Sequence, residues 1–185
     1  PEFIQAVKAI ADSTNCFFIV DEVQTGVALT GKFWAHEHYG VEPDALAFGK
    51  KTQVCGCLVG PKVDREPDNV FATKSRINST WGGNLTDMVR CQRFLEIIEE
   101  DRLVENARRV GEHLLAGLRG LEAEFSSLVS NSRGRGLMIA FDTDPGARGA
   151  LLGKCFDFGM IALPCGTRSV RFRPPLTLTR QEADA

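Results

Sequence analysis

At 185 residues, with 43% hydrophobic and 25% charged side chains, the chain has the composition of one folded domain, or one and part of another, not of a disordered tail. Its 22 basic and 24 acidic residues leave a net charge of −2, which argues against a nucleic-acid or anionic-membrane surface, and no apolar run approaches the roughly 20 residues of a membrane span. Six cysteines are too few for a disulfide scaffold and read as reduced thiols, and the Cys55-Gly56-Cys57 spacing is not that of a zinc knuckle.

Pro1 and Glu2 suit the first turn of a helix, with Phe3, Val7 and Ile10 at helical spacing. Residues 16–20, Cys-Phe-Phe-Ile-Val, form a fully apolar run, the pattern of a parallel strand buried on both faces, and the run ends abruptly at Asp21-Glu22. Residues 34–39 read as helical, which separates His36 from His38 and argues against a metal there. A second apolar run, Ala45-Leu46-Ala47-Phe48, ends at Gly49-Lys50-Lys51, and a third, Cys57-Leu58-Val59, lies between Gly56 and Gly60. From Asn84 two helical patterns follow, one through Leu85, Met88, Val89, Leu95 and Ile98, the other from Leu103 to Phe125. Strands are predicted at 137–141 and 160–163 around a helix at 147–158. Arg133-Gly-Arg-Gly136 reads as a turn into a strand. A last strand, 169–172, stops at Pro174-Pro175, and Thr179-Arg180-Gln181-Glu182 is a capping-box signature three residues before the end. Both ends therefore read as cut, and the chain is expected to be a segment of something longer. The pattern is α/β, changing to a smaller α+β part at the two long helices.

Ligands of open parallel sheets bind at the carboxyl ends of the strands, so the residues at these ends carry the chemical information. Asp21, directly after an apolar run, is expected to be partly buried and to need a partner; a strand-end cap or salt bridge would also account for it. Lys50, after Gly49, is either a snorkelling surface amine or a desolvated one able to form a Schiff base. Together they match what pyridoxal phosphate (PLP) requires, a carboxylate to keep the pyridine nitrogen protonated and an amine to hold the aldehyde and move protons. Ser79-Thr80-Trp81-Gly82-Gly83-Asn84 offers a hydroxyl and backbone N–H groups to an anion, although such a stretch is also an ordinary turn before a helix. Arg171 and Arg173, flanking Phe172 on a strand, face one side and suit a carboxylate, or else form a solvated edge face.

The segments Val20-Asp21-Glu22-Val23-Gln24-Thr25-Gly26, Phe48-Gly49-Lys50-Lys51, Ser79 to Asn84 and Val170-Arg171-Phe172-Arg173-Pro174-Pro175-Leu176 come in the order and spacing of the class III PLP-dependent aminotransferases, which the chain resembles over essentially its whole length. Within that family the chain is most similar to the enzymes that act on the terminal amine of L-lysine. The resemblance implies an α/β fold: residues 1–100 as the C-terminal part of the large, mostly parallel-sheet domain of a fold-type I PLP enzyme, and residues 101–185 as a small α+β C-terminal domain. It implies a cytoplasmic homodimer that transfers the terminal amine of L-lysine to 2-oxoglutarate. Lys50 would be the Schiff-base lysine and Asp21 the partner of the pyridine nitrogen. Val23 would pack on the ring, and Gln24 would reach the ring hydroxyl oxygen. Thr80 would bind the phosphate of the other subunit's PLP, Arg171 the substrate α-carboxylate, and Asn78 would line the same site. Other ω-amine donors (ornithine, acetylornithine, 4-aminobutyrate) and a non-catalytic module are the rivals. Ala28 stands where the family commonly has glycine, which would strain the loop if that position needs positive φ. The phosphate loop and ring-stacking aromatic of the family lie upstream of the part that this chain matches.

Overall fold

The computed structural model describes residues 1–77 and 80–185, which form two compact units, residues 1–27 with 33–101 and residues 28–32 with 102–185. In the first unit, helix α1 (Glu2–Ser13) buries Ala11 against Phe18 and Val41, with Ile4, Val20 and Tyr39 packed around them. Strands β1 (Ile19–Asp21), β2 (Ala45–Phe48) and β3 (Gly56–Val59) form a sheet in that order. β1 runs parallel to β2, pairing Asp21 with Ala47, and β3 runs antiparallel to β2, pairing Gly56 with Phe48. Helix α2 (Leu85–Glu100) starts where the sequence suggests, because the Asn84 carboxamide oxygen accepts from the Thr86 and Asp87 N–H groups.

Three expectations change here. The first strand keeps only the last two residues of its apolar run and extends into Asp21; Ile19 is 66% exposed, so the strand is not buried on both faces. The third run is an exposed antiparallel strand, not a parallel one. Residues 35–39 form a 3₁₀ turn ended by Gly40 in the left-handed region, because the Glu37 carboxylate accepts from the Trp34 N–H (2.6 Å) and closes a tight first turn.

The second unit is built on helix α3 (Leu103–Glu124), whose buried residues Leu103, Ala107, Val110, Gly111 and Leu118 lie on one face. Strands β4 (Ser130–Arg135) and β5 (Met138–Asp142), helix α4 (Pro145–Asp157), strands β6 (Leu163–Cys165) and β7 (Ser169–Phe172) and the short helix α5 (Arg180–Asp184) follow. The sheet is antiparallel throughout, in the order β4-β5-β7-β6. Strand β4 corrects the expectation of a turn at 133–136: Arg133 and Arg135 lie in the ladder, and only Gly136 turns, at φ 53°. The strand expected at 160–163 lies later, at 163–165, and the last strand ends at Phe172, so Arg173 falls beyond it. Two cores hold the unit together. Leu118, Ile139, Phe141 and Val170 pack under the sheet, and Leu29, Ala107, Val110 and Leu137 join the 28–32 segment to α3. The Leu137 N–H donates to the Leu29 carbonyl (2.9 Å). The suspicion about Ala28 holds: Val27 and Ala28 are both buried in the left-handed region, at φ 57° and 70°.

Buried Asp142 is the main acid-sensitive group of this unit. Its carboxylate accepts from the Ser169 hydroxyl (2.5 Å), the Asn131 amide (2.9 Å) and the Arg133 guanidinium (3.0 Å). These donors, Ser169 first, hold its pKa down to about 2 from the ordinary 3.8. A carboxylate whose folded pKa is depressed contributes stability that is complete above its unfolded value and is lost as pH falls through the folded one. The urea midpoint of the second unit is therefore expected to drop between pH 4 and pH 2, and Asp142→Asn should flatten that slope. Equal slopes in the two proteins would refute the assignment. Among the described residues no helix is long and apolar enough to cross a membrane.

Candidate active site

Two parallel strands that end together place the residues following them on one edge of the sheet. Asp21 is the last residue of β1, and the Glu22 N–H donates to the Ala47 carbonyl (2.9 Å), which ties the exit of β1 to the next-to-last residue of β2. Lys50 lies two residues past the end of β2, at that same carboxyl edge. The two candidates thus share the position where α/β sheets hold their ligands.

Neighbouring acids and bases at this edge divide their work. Asp21 is exposed, not partly buried as expected, and its Oδ1 accepts from the Val23 N–H (2.9 Å), which fixes the carboxylate over the start of the loop. The buried carboxylate is Glu22, 3% exposed. It accepts from the Thr25 hydroxyl and the Ala35 N–H (both 2.9 Å) and from the His36 N–H (2.8 Å), with the His36 Nδ1 at 3.1 Å. Burial without these partners would cost several kcal/mol. With them, Glu22 ties the 22–26 turn to the 3₁₀ turn at 35–39. Sequence reasoning assigned the buried charge to the wrong member of the pair. The available signal was the Glu22/Thr25 spacing, which lets the threonine hydroxyl reach back three residues. Gly26 completes the turn: a Cβ there would stand 2.7 Å from the Trp34 ring.

The lysines divide in the same way. Lys51 is half-buried, and its ammonium donates to the carbonyls of Gln24 (2.9 Å) and Gly26 (2.8 Å). It holds down the backbone of the Asp21–Gly26 loop. Lys50 is exposed and sits in the left-handed region at φ 55°, a conformation that a non-glycine residue adopts at a cost of about 1–2 kcal/mol. Strained backbone of this kind gathers at functional sites. Gly49 is extended, and a Cβ there would meet Cys55 Sγ at 2.9 Å, so the strand exit closes on Cys55.

Val23 and Gln24 are half-buried on the loop after Asp21. Thr80 is exposed and precedes Trp81, Gly82 and Gly83; these three line a cleft of about 220 Å³ with Gln53, Cys55 and Asn84. Asn78 and Ser79 lie outside the described residues. Arg171 belongs to the other unit: it is half-buried on β7, opposite Ala140 on one side and Leu163 on the other. Arg171 and Arg173 both line a cavity of about 380 Å³ with Leu163, Pro174 and Leu178. No group of three His, Cys, Asp or Glu side chains among the described residues is arranged to hold a metal.

These parts fit PLP. An exposed carboxylate, an exposed lysine, and loop residues able to flank a ring stand at one sheet edge, and the competing amine of Lys51 is already engaged.

The family model for class-III aminotransferases matches residues 1–185. The L-lysine-epsilon aminotransferase of Mycobacterium tuberculosis is 51% identical over 186 residues, covering 100% of this chain and 41% of that protein. The mitochondrial 4-aminobutyrate aminotransferase of Mus musculus is 37% identical over 98% of this chain and 36% of its own length. Among solved structures, the lysine aminotransferase of M. tuberculosis superposes with a TM-score of 0.95 at 50% identity, covering 100% of this chain and 42% of that one. The chain thus spans about two-fifths of the length of its lysine-aminotransferase relatives.

Proposed function

This chain belongs to the class-III aminotransferases, and we propose that the protein in its full length transfers the terminal amine of L-lysine to 2-oxoglutarate, giving the semialdehyde and glutamate. The observation that carries this reading is the pair at the sheet edge: Lys50 exposed beside a Lys51 that is engaged, with Asp21 at the end of the neighbouring parallel strand. The 51% identity to a lysine-epsilon aminotransferase, against 37% to a 4-aminobutyrate enzyme, supports lysine as the donor.

Class-III aminotransferases are PLP enzymes in general, and bound PLP supplies an electron sink for the carbon that loses its proton. The chain's own residues supply the rest. Asp21, whose carboxylate is fixed by the Val23 N–H, would pair with the ring nitrogen and favour its protonated form. Val23 would pack against the ring, and Gln24 would reach its hydroxyl oxygen. Lys50 Nζ would be the residue that holds the cofactor aldehyde, and as a free amine the same nitrogen would serve as the base and acid that moves the proton of the substrate carbon. Arg171 takes the α-carboxylate of lysine or of 2-oxoglutarate through a forked pair of hydrogen bonds. Thr80 would bind the phosphate of the other subunit's cofactor in a homodimer, and the role proposed for Asn78 on the substrate side falls on a residue outside the described ones. Residues 1–100 are proposed as part of the large domain and 101–185 as the small one.

Two measurements test this reading. Borohydride reduction of the PLP-loaded protein followed by peptide mapping is expected to place a pyridoxyl group on Lys50; a map with the label on Lys51 or on neither lysine refutes the site. Glutamate formation from 2-oxoglutarate is expected to be fastest with L-lysine. A lead by L-ornithine or 4-aminobutyrate would keep the chemistry and overturn the donor, and no turnover with any of them would favour a non-catalytic module.

A further inference from the structure

The sheet of the second unit has two chemically different faces. Ile139, Phe141, Val170 and Phe172 alternate onto the side that packs on Leu118, Leu151 and Leu152. The other side carries Arg133, Ala140 and Arg171 in one row, since Arg133 pairs with Ala140 and Ala140 with Arg171. The adjacent row holds Asp142 opposite Ser169. Asp142 is therefore a diagonal cross-strand neighbour of Arg171, at the roughly 7–8 Å over which long side chains still meet. A nearly buried carboxylate this close to an arginine would ordinarily pair with it.

Here the partners of Asp142 come from elsewhere. Its Oδ1 receives the Ser169 hydroxyl (2.5 Å) and the Arg133 Nη1 (3.0 Å), its Oδ2 receives the Asn131 amide (2.9 Å), and the Arg133 Nη2 donates to the Ser169 oxygen (2.9 Å). A register shift between Ser130 and Arg133 makes this possible, because the one extra residue on β4 re-aims the strand and brings both Asn131 and Arg133 onto one carboxylate.

We propose that Arg133 and Ser169 are positioning residues that occupy the Asp142 carboxylate, so that it does not compete with a substrate carboxylate for Arg171. This rests on the reading of Arg171 as the carboxylate-binding residue. Ala140, the small residue directly opposite Arg171, adds no competing group of its own.

The test uses the full-length, PLP-loaded enzyme and steady-state kinetics with 2-oxoglutarate. Arg133→Met keeps the aliphatic stem and removes the charge, and it is expected to raise KM for 2-oxoglutarate about tenfold with kcat within about twofold. Arg133→Met combined with Asp142→Asn removes the freed competitor, and KM returns towards wild type. A purely structural role would lower the melting temperature without that rescue. An unchanged KM in Arg133→Met, or a double variant no better than the single one, overturns the inference. Should Arg133→Met fail to fold, Ser169→Ala loosens the same carboxylate and is expected to raise KM by a smaller factor; no change there overturns the inference equally. Arg171→Lys in the same assay separates the two levels. If it leaves KM unchanged, the role of Arg171 itself is wrong; if it raises KM while Arg133→Met does not, only the positioning role fails.

Discussion

Lys50→Ala is expected to lower transamination by a factor on the order of 10⁴, because in the proposed site one nitrogen would serve as both covalent anchor and proton carrier, and proton transfer by a placed side chain alone accounts for about 10²–10⁴. Lys51→Ala is expected to behave differently although the two residues are adjacent and chemically identical. Its ammonium closes two charge-assisted hydrogen bonds, to the carbonyls of Gln24 and Gly26, and their loss costs about 1–3 kcal/mol of stability. The Lys51→Ala enzyme should keep the absorbance of bound cofactor and lose at most a modest part of kcat as the Asp21–Gly26 loop loosens. Single-turnover rates and melting curves for the two variants check this division. A Lys51→Ala enzyme as dead as Lys50→Ala, with its fold intact, would reverse the assignment.

The second large effect concerns one helix in which the same substitution has opposite signs. Gly111→Ala would place a Cβ 2.0 Å from the Gly136 carbonyl oxygen and 2.2 Å from its carbon. Both are backbone atoms that no rotamer change can move. Gly136 is itself wedged: its own Cβ would lie 2.4 Å from the Thr30 carbonyl carbon, and its φ of 53° already favours glycine. The helix propensity gained by alanine, about 1 kcal/mol, is therefore outweighed by overpacking of about 3 kcal/mol or more. At Gly117 and Gly120 of the same helix an added Cβ would have no neighbour within 4 Å, and Gly117→Ala should stabilise by about 0.5–1 kcal/mol. Urea unfolding of the two variants gives the comparison. Equal and small effects would mean that the 28–32 segment, the β4–β5 turn and α3 are not in backbone contact.

The strands at 45–48 and 169–172, both long helices and the capping box at Thr179 follow from local chemistry, and all were legible in the sequence. Apolar period, an asparagine or threonine at a helix start and a glycine or proline at a strand end act over a few residues, whatever the rest of the chain does. The same holds for the order of the motifs, which placed an acid and a lysine after successive strands and led to the family.

Strand β4 was not legible, because Ser130–Arg135 carries no apolar alternation; its pairing with β5 and the cluster on Asp142 hold it in place. Nor was the choice between neighbours. Asp21 and Glu22 are both carboxylates after an apolar run, and Lys50 and Lys51 are both amines after a glycine. Which member of each pair is anchored depends on N–H groups and carbonyls thirteen to twenty-seven residues away, at Ala35 and His36 for the acids and at Gln24 and Gly26 for the amines. The sequence by itself determined which chemical groups stand at the sheet edge. Only the tertiary structure decided which of them are tied down and which remain exposed, because a buried charge takes its partners from wherever the fold brings backbone donors and acceptors within about 3 Å.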